Sequence, residues 1–76
     1  DVVVRLEPAT DRSGISLDIE SKVMSMFGEQ IRASVLETIE KNGLTDVHVS
    51  VRDQGALDYA IRARVQTAID RATREE

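Results

Sequence analysis

His48 is the only imidazole in the chain and the first residue to weigh for proton transfer near neutral pH. It falls in Val47-His48-Val49-Ser50-Val51, where the valines point one way and the histidine the other, so it belongs to the polar face of a strand. A general base needs a carboxylate or hydroxyl held within hydrogen-bond reach, and nothing in the sequence places one beside it. Carboxylates are plentiful but patterned as solvated faces. Asp18 and Glu20 alternate along one strand, while Glu37 and Glu40 stand one helical turn apart, with Lys41 as an i,i+4 partner for Glu37. Exposed faces lack the low-dielectric surroundings that split the pKa values of a hydrolytic pair. With no cysteine and a single histidine, neither a thiolate site nor an ordinary zinc site can be assembled.

Three other features could handle charge or a covalent group. Ser13-Gly14 puts a hydroxyl in a loop, where it could accept a modification or simply form a turn. Gly55, read as part of the first turn of a helix, lets a ligand or partner approach free backbone N–H groups that bind anions. Arg62 and Arg64 are two apart on that helix and so diverge. Arg62 can pair with Asp58 one turn earlier, while Arg64 can reach a phosphate or a partner's carboxylate. Both can equally be surface arginines whose stems cover apolar area.

The elements that position these residues are legible from periodicity. Val2, Val4 and Leu6 alternate with Val3, Arg5 and Glu7; Ile15, Leu17 and Ile19 alternate with Ser16, Asp18 and Glu20; Val47, Val49 and Val51 complete a third strand. The turn-rich Pro8–Gly14 predicts an antiparallel hairpin between the first two strands. Val23, Phe27, Ile31, Val35 and Ile39 recur every four residues, with Met24, Met26 and Leu36 beside them. They predict a helix N-capped by Ser21 and stopped at Asn42-Gly43. Gly28 interrupts it, as a kink, a break or a close approach to the sheet. Leu57, Ile61, Val65, Ala68, Ile69 and Ala72 predict a second helix, N-capped by Asp53 and fraying over Thr73–Glu76. The order ββαβα predicts an α+β fold, a two-layer α/β sandwich with a three-stranded mixed sheet and two helices on one face. The second strand, first helix and third strand should form a right-handed βαβ unit, with the first strand between the other two.

At 76 residues, residues 1–76 read as a single domain near the lower limit for a core without disulfides. The chain starts at Asp1 with no methionine, which reads as a trimmed or incompletely ordered amino terminus. A net charge of -4 with 3 % aromatics argues against nucleic-acid binding, and no apolar run suffices to span or anchor in a membrane. The lack of cysteine suits the reducing cytoplasm. These residues alone describe a small acidic domain without a visible active site.

Asp1-Val2-Val3-Val4-Arg5-Leu6-Glu7-Pro8, Phe27-Gly28-Glu29-Gln30-Ile31-Arg32 and Asp53-Gln54-Gly55-Ala56-Leu57-Asp58 with Arg62-Ala63-Arg64 resemble stretches of the acyl carrier subunit (gamma chain) of bacterial citrate lyase. The related malonate decarboxylase carrier shares the opening strand and the Gly-Ala pair but usually has proline near Leu57. The resemblance implies a non-catalytic carrier subunit. Its prosthetic group is drawn from 2'-(5''-triphosphoribosyl)-3'-dephospho-CoA and attached as a phosphoribosyl-dephospho-coenzyme A arm. The arm joins a serine of a Ser-Gly-Asp motif whose aspartate matches Asp1, so the serine falls just before the chain; Ser13 is the alternative within it. The implied role is to tether acetyl and citryl thioesters between the transferase and lyase subunits of a citrate lyase complex, after a prosthetic-group transfer enzyme has loaded the arm. Contacts to partner or arm are expected at Gly55, Ala56, Asp58, Arg62 and Arg64. Two other readings stay open: a non-carrier protein-interaction or assembly module of the same fold with no covalent arm, and a very small enzyme using His48.

Overall fold

A computed structural model describes residues 2–10 and 12–73. The elements run β1 (Val2–Pro8), β2 (Ile15–Ser21), α1 (Met24–Lys41), β3 (Val47–Asp53) and α2 (Asp58–Thr73). This is the expected ββαβα order, a three-stranded mixed sheet with both helices covering its apolar face. The other face carries Arg5, Glu7, Asp18, Glu20, His48 and Arg52, and there Arg52 meets Asp18 and Glu20 at 3.7 and 3.4 Å.

Strand order corrects the sequence reading. The sheet runs β1-β3-β2, so β3 and not β1 lies in the middle, and β1 and β2 form no hairpin. β3 pairs antiparallel with β1, Val2 opposite Asp53, and parallel with β2, Ser21 opposite Asp53. The cause lies in what each strand can bury. Val47, Val49 and Val51 lose essentially all contact with water, whereas Val4, Leu6, Ile15, Leu17 and Ile19 are only partly covered. A run of β-branched residues suits the position flanked on both sides, and Pro8, which has no N–H to give to a ladder, suits β1 to an edge. The β1–β2 connection therefore crosses the start of β3. It is strapped there by Ala9 N–H to the Asp46 carbonyl (3.0 Å), Gly14 N–H to the Asp46 carboxylate (3.1 Å) and Val47 N–H to the Gly14 carbonyl (3.2 Å). β2, α1 and β3 form the expected βαβ unit with its parallel strands adjacent.

Helix α1 buries Ile31, Ser34, Val35, Thr38 and Ile39, a stripe of i, i+3, i+4 spacing that meets the sheet. The same periodicity fails in its first turns: Met24, Met26 and Phe27 remain exposed. Gly28 neither breaks the helix nor approaches the sheet, because a Cβ there would meet only the Met24 side chain. The predicted stop holds. Gly43 adopts φ +76°, Leu44 N–H reaches the Ile39 carbonyl and Gly43 N–H the Glu40 carbonyl, the paired bonds of a Schellman ending. Helix α2 buries Ile61, Val65 and Ile69, while Leu57, expected in its stripe, is 64 % exposed. Thr73 is still helical; the rest of the segment expected to fray, 74–76, lies outside the described residues, as does Asp1. No helix among the described residues is long and apolar enough to cross a membrane.

Ile39 is fully buried whereas Met26 is 76 % exposed on the same helix. Ile39→Ala should therefore lower unfolding free energy by about 2–5 kcal/mol, and Met26→Ala by less than about 0.5 kcal/mol. Urea titration of both variants checks this; equal losses would mean that the first turns of α1 are packed after all.

Candidate functional site

Asp53 organises one end of the molecule. It closes β3 opposite both the first described residue of β1 and the last residue of β2, and both helices start from this end. The residue is 4 % exposed. One carboxylate oxygen accepts the Ser21 hydroxyl at 2.7 Å and the other the Ala56 N–H at 2.8 Å. Burial pushes this carboxyl up, but the N–H groups of Ala56 and Gly55 and the Ser21 hydroxyl outweigh it and hold the group below its ordinary range. Ser21 Oγ in turn accepts the Val23 N–H at 3.1 Å.

Neither Ser21 nor Asp53 is therefore the helix N-cap that the sequence predicts. Val23 precedes α1 with no side-chain cap, and the first α2 hydrogen bonds run to the Leu57 carbonyl from Ala60 and Ile61. The two side chains instead tie the ends of β2 and β3 to the connections that follow them. Gly55, expected within the helix, lies before it at φ +102°, a conformation that strains any residue with a Cβ.

A second cluster joins the helices. The Ser34 hydroxyl, buried within α1, donates to Asp58 of α2. Arg62 donates to Asp58 at 2.8 Å, as the i,i+4 spacing predicts, and also to Glu37 at 2.9 Å. Glu37 thus engages Arg62 across the helix pair rather than Lys41. The Ser34 hydrogen bond and then Arg62 hold the Asp58 carboxyl below the ordinary range, and the two carboxylates raise the Arg62 guanidinium. Ser34 was not singled out from the sequence, although a serine three residues after Ile31 on an apolar stripe is the signal that finds it.

Between these clusters lies a cleft of about 220 Å³ with Val23, Phe27 and Ile31 on one side and Ala56, Leu57 and Ile61 on the other. Gln30, Gly55 and Asp58 complete its lining. Phe27 and Leu57, which line the cleft, are exposed, as are Met24, Met26 and Tyr59 near them in sequence, and exposed apolar surface of this kind marks a contact surface. The cleft is smaller than the roughly 300–1,000 Å³ of ordinary small-molecule pockets, so it suits a protruding side chain better than an enclosed substrate.

The structure brings Gly55, Ala56 and Asp58 together here and separates the two arginines. Arg62 is held by Asp58 and Glu37, and Arg64 lines a different groove, of about 750 Å³, along β1. Ser13 is exposed near the opposite end of the sheet, next to Gly14, whose carbonyl meets the start of β3. A seven-residue strand separates it from Asp53, roughly 20 Å. His48 is exposed on the sheet face away from the helices, opposite Glu7 and Ser16 in the strand register. Among the described residues no group of three or more metal-ligating side chains converges.

The depressed Asp53 carboxyl sets a pH dependence. Its contribution to stability is complete above the unfolded pKa of about 3.9 and is lost as pH falls through the lower folded value. Asp53→Asn should flatten the acid limb of a stability-versus-pH curve and cost about 1.5–3 kcal/mol at pH 7. Urea midpoints from pH 7 down to pH 2 test this; an unchanged acid limb would remove Asp53 from the account.

The chain matches the acyl carrier protein family described as malonate decarboxylase delta subunit (MdcD) over residues 1–72. It is 47 % identical over 75 residues to a citrate lyase acyl carrier protein of Haemophilus influenzae, covering 99 % of this chain and 76 % of that one. Identity to the citrate lyase acyl carrier protein of Halothermothrix orenii is 38 % over 74 residues, 97 % of this chain and 77 % of the relative. With that of Fusobacterium nucleatum it is 44 % over 72 residues, 95 % and 76 %. No solved structure matches the chain. A match across nearly its whole length shows that the chain belongs to this acyl carrier protein family.

Proposed function

We propose that this chain is the acyl carrier subunit of a citrate lyase complex, a non-catalytic tether between a transferase and a lyase subunit. The observation that carries the reading is the match to citrate lyase acyl carrier proteins along nearly the entire chain. The arm is a phosphoribosyl-dephospho-coenzyme A group carried by a serine ahead of Asp1, and residues 1–76 fold as one carrier domain. Its terminal thiol supplies the thioester chemistry for acetyl and citryl groups.

The residues present fit such a group. Val2 stands opposite Asp53, so an arm attached just upstream starts from the end of the sheet where both helices begin. The chain's own contribution is then geometric. A covalent link fixes a high local concentration of cargo at each partner in turn, and the domain sets where that link originates. The exposed apolar surface of Phe27 and Leu57, beside Gly55, Ala56 and Asp58, is the docking surface for the partner subunits. Arg62 acts through Asp58 and Glu37, which hold the two helices in register beneath that surface. The reducing cytoplasm suits an exposed thiol of this kind.

The test is intact mass of the chain with its natural amino terminus, co-produced with citrate lyase maturation enzymes. A gain that disappears when the serine ahead of Asp1 is replaced is the expected result. A gain mapping to Ser13 moves the attachment point. No gain, with those enzymes active on a known carrier, overturns the carrier reading in favour of an interaction module without an arm.

For the docking surface, Leu57→Asp should leave loading intact and slow acyl exchange with the partner subunits at least about tenfold, since central apolar contacts carry most interface energy. Exchange at the unaltered rate in the loaded variant would remove this surface from the interface.

A further inference from the structure

β1 is an edge strand, paired on one side only. The groove along its free edge is lined by β1 from Val2 to Glu7 and by the later half of α2, including Arg64, Thr67 and Arg71. Three arginines, Arg5, Arg64 and Arg71, line it against one carboxylate, Glu7. Arg62 and Arg52 are taken up by carboxylates, but among the described residues Arg5, Arg64 and Arg71 make no ion pair. In a chain of net charge -4, a groove lined among the described residues by three arginines and one carboxylate is a local reversal of sign. Guanidinium is the side-chain group best matched to phosphate. Arg64 and Arg71 are seven residues apart, two helical turns on one face, and so about 10 Å apart along the axis. At that spacing the two long side chains can converge on one pyrophosphate from either side.

The groove also begins at the start of β1. Val2 lines it, so a group attached just upstream of β1 is anchored at its mouth. We propose that the groove between β1 and α2 seats the phosphate-bearing nucleotide part of the carrier's own arm, with Arg64 and Arg71 as its phosphate ligands. This rests on the carrier reading above. The arm's neutral, thiol-bearing end stays outside the groove and is available to partners, so reach is set from a seated nucleotide rather than from a wholly free tether. The apolar cleft at Phe27 and Leu57 stays open for protein contact.

The probe is free 3'-dephospho-coenzyme A, titrated into the unloaded full chain and followed by amide NMR shifts. Shifts should concentrate on residues 2–7 and 64–72. Replacing both arginines (R64A with R71A) should weaken binding at least about tenfold with unfolding unchanged, and raising salt from 50 to 200 mM, chosen as the screening range, should weaken it too. The loaded chain should show the same shifts without added probe, and they should vanish in the double variant. Shifts confined to the Phe27–Leu57 cleft, or binding unaffected by the double variant, would overturn the proposal. Mass analysis of the same samples separates that failure from failure of the carrier reading, because a loaded chain with an unperturbed groove defeats only the former.

Discussion

In a three-stranded sheet only one strand has neighbours on both sides, and Val47, Val49 and Val51 make β3 the strand that most needs them. Burying those side chains removes apolar area from water on the scale of about 25 cal/mol per Å², and they are covered more completely than Val4 and Leu6 of β1 or Ile15, Leu17 and Ile19 of β2. Once β3 is central, β1 must run antiparallel on one side and β2 parallel on the other. The first residues of β1, the last of β2 and β3, and the starts of both helices then fall at one end. The assembly of a candidate site there is a consequence of topology before any side chain in the site is considered.

Asp53 converts that coincidence of ends into a rigid arrangement. A buried carboxylate is costly unless its hydrogen bonds are satisfied, and this one accepts from Ser21 and Ala56 on opposite sides. The β2-to-α1 and β3-to-α2 connections are thus locked to one group. The clasp of Ser34, Asp58, Arg62 and Glu37 fixes the helices a few residues further on. At the far end Asn42 and Gln66 exchange hydrogen bonds of 2.9 and 3.0 Å. The Phe27–Leu57 cleft is the space left between the first two of these fixed points.

Period-two and period-four patterns were sufficient for the elements and their order, because burial on a sheet face or helix stripe leaves a direct mark on residue type. They were insufficient for strand order, because pairing depends on comparing strands with one another, and the short Pro8–Gly14 connection suggested a neighbour that it does not join. Ser21 and Asp53 misled for a related reason. Their types mark a polar side chain that bonds nearby backbone N–H groups, which is what they do, but the groups belong to connections rather than to helix N-termini. Phe27 and Leu57 keep the core periodicity but line the open cleft where the helices start, so only the fold could show that their apolar surface faces water. Of the residues expected at the site, Gly55, Ala56 and Asp58 converge because they are contiguous; Arg64 departs because a helix turns it to another face.

That divergence gives the two arginines different physical jobs. Arg62 is neutralised by two carboxylates and contributes position; Arg64 makes no ion pair among the described residues and lies beside an edge strand whose one carboxylate is Glu7. An unpaired β edge normally invites another strand, and natural proteins discourage this with charge and proline. β1 carries both, in Arg5 and Pro8, and the arginines of α2 extend the same cationic character across the groove. The features that keep a second strand off this edge therefore also make it receptive to an anion. Protecting the edge and recognising phosphate draw on one set of side chains, so in a chain this small neither needs residues set aside for it alone.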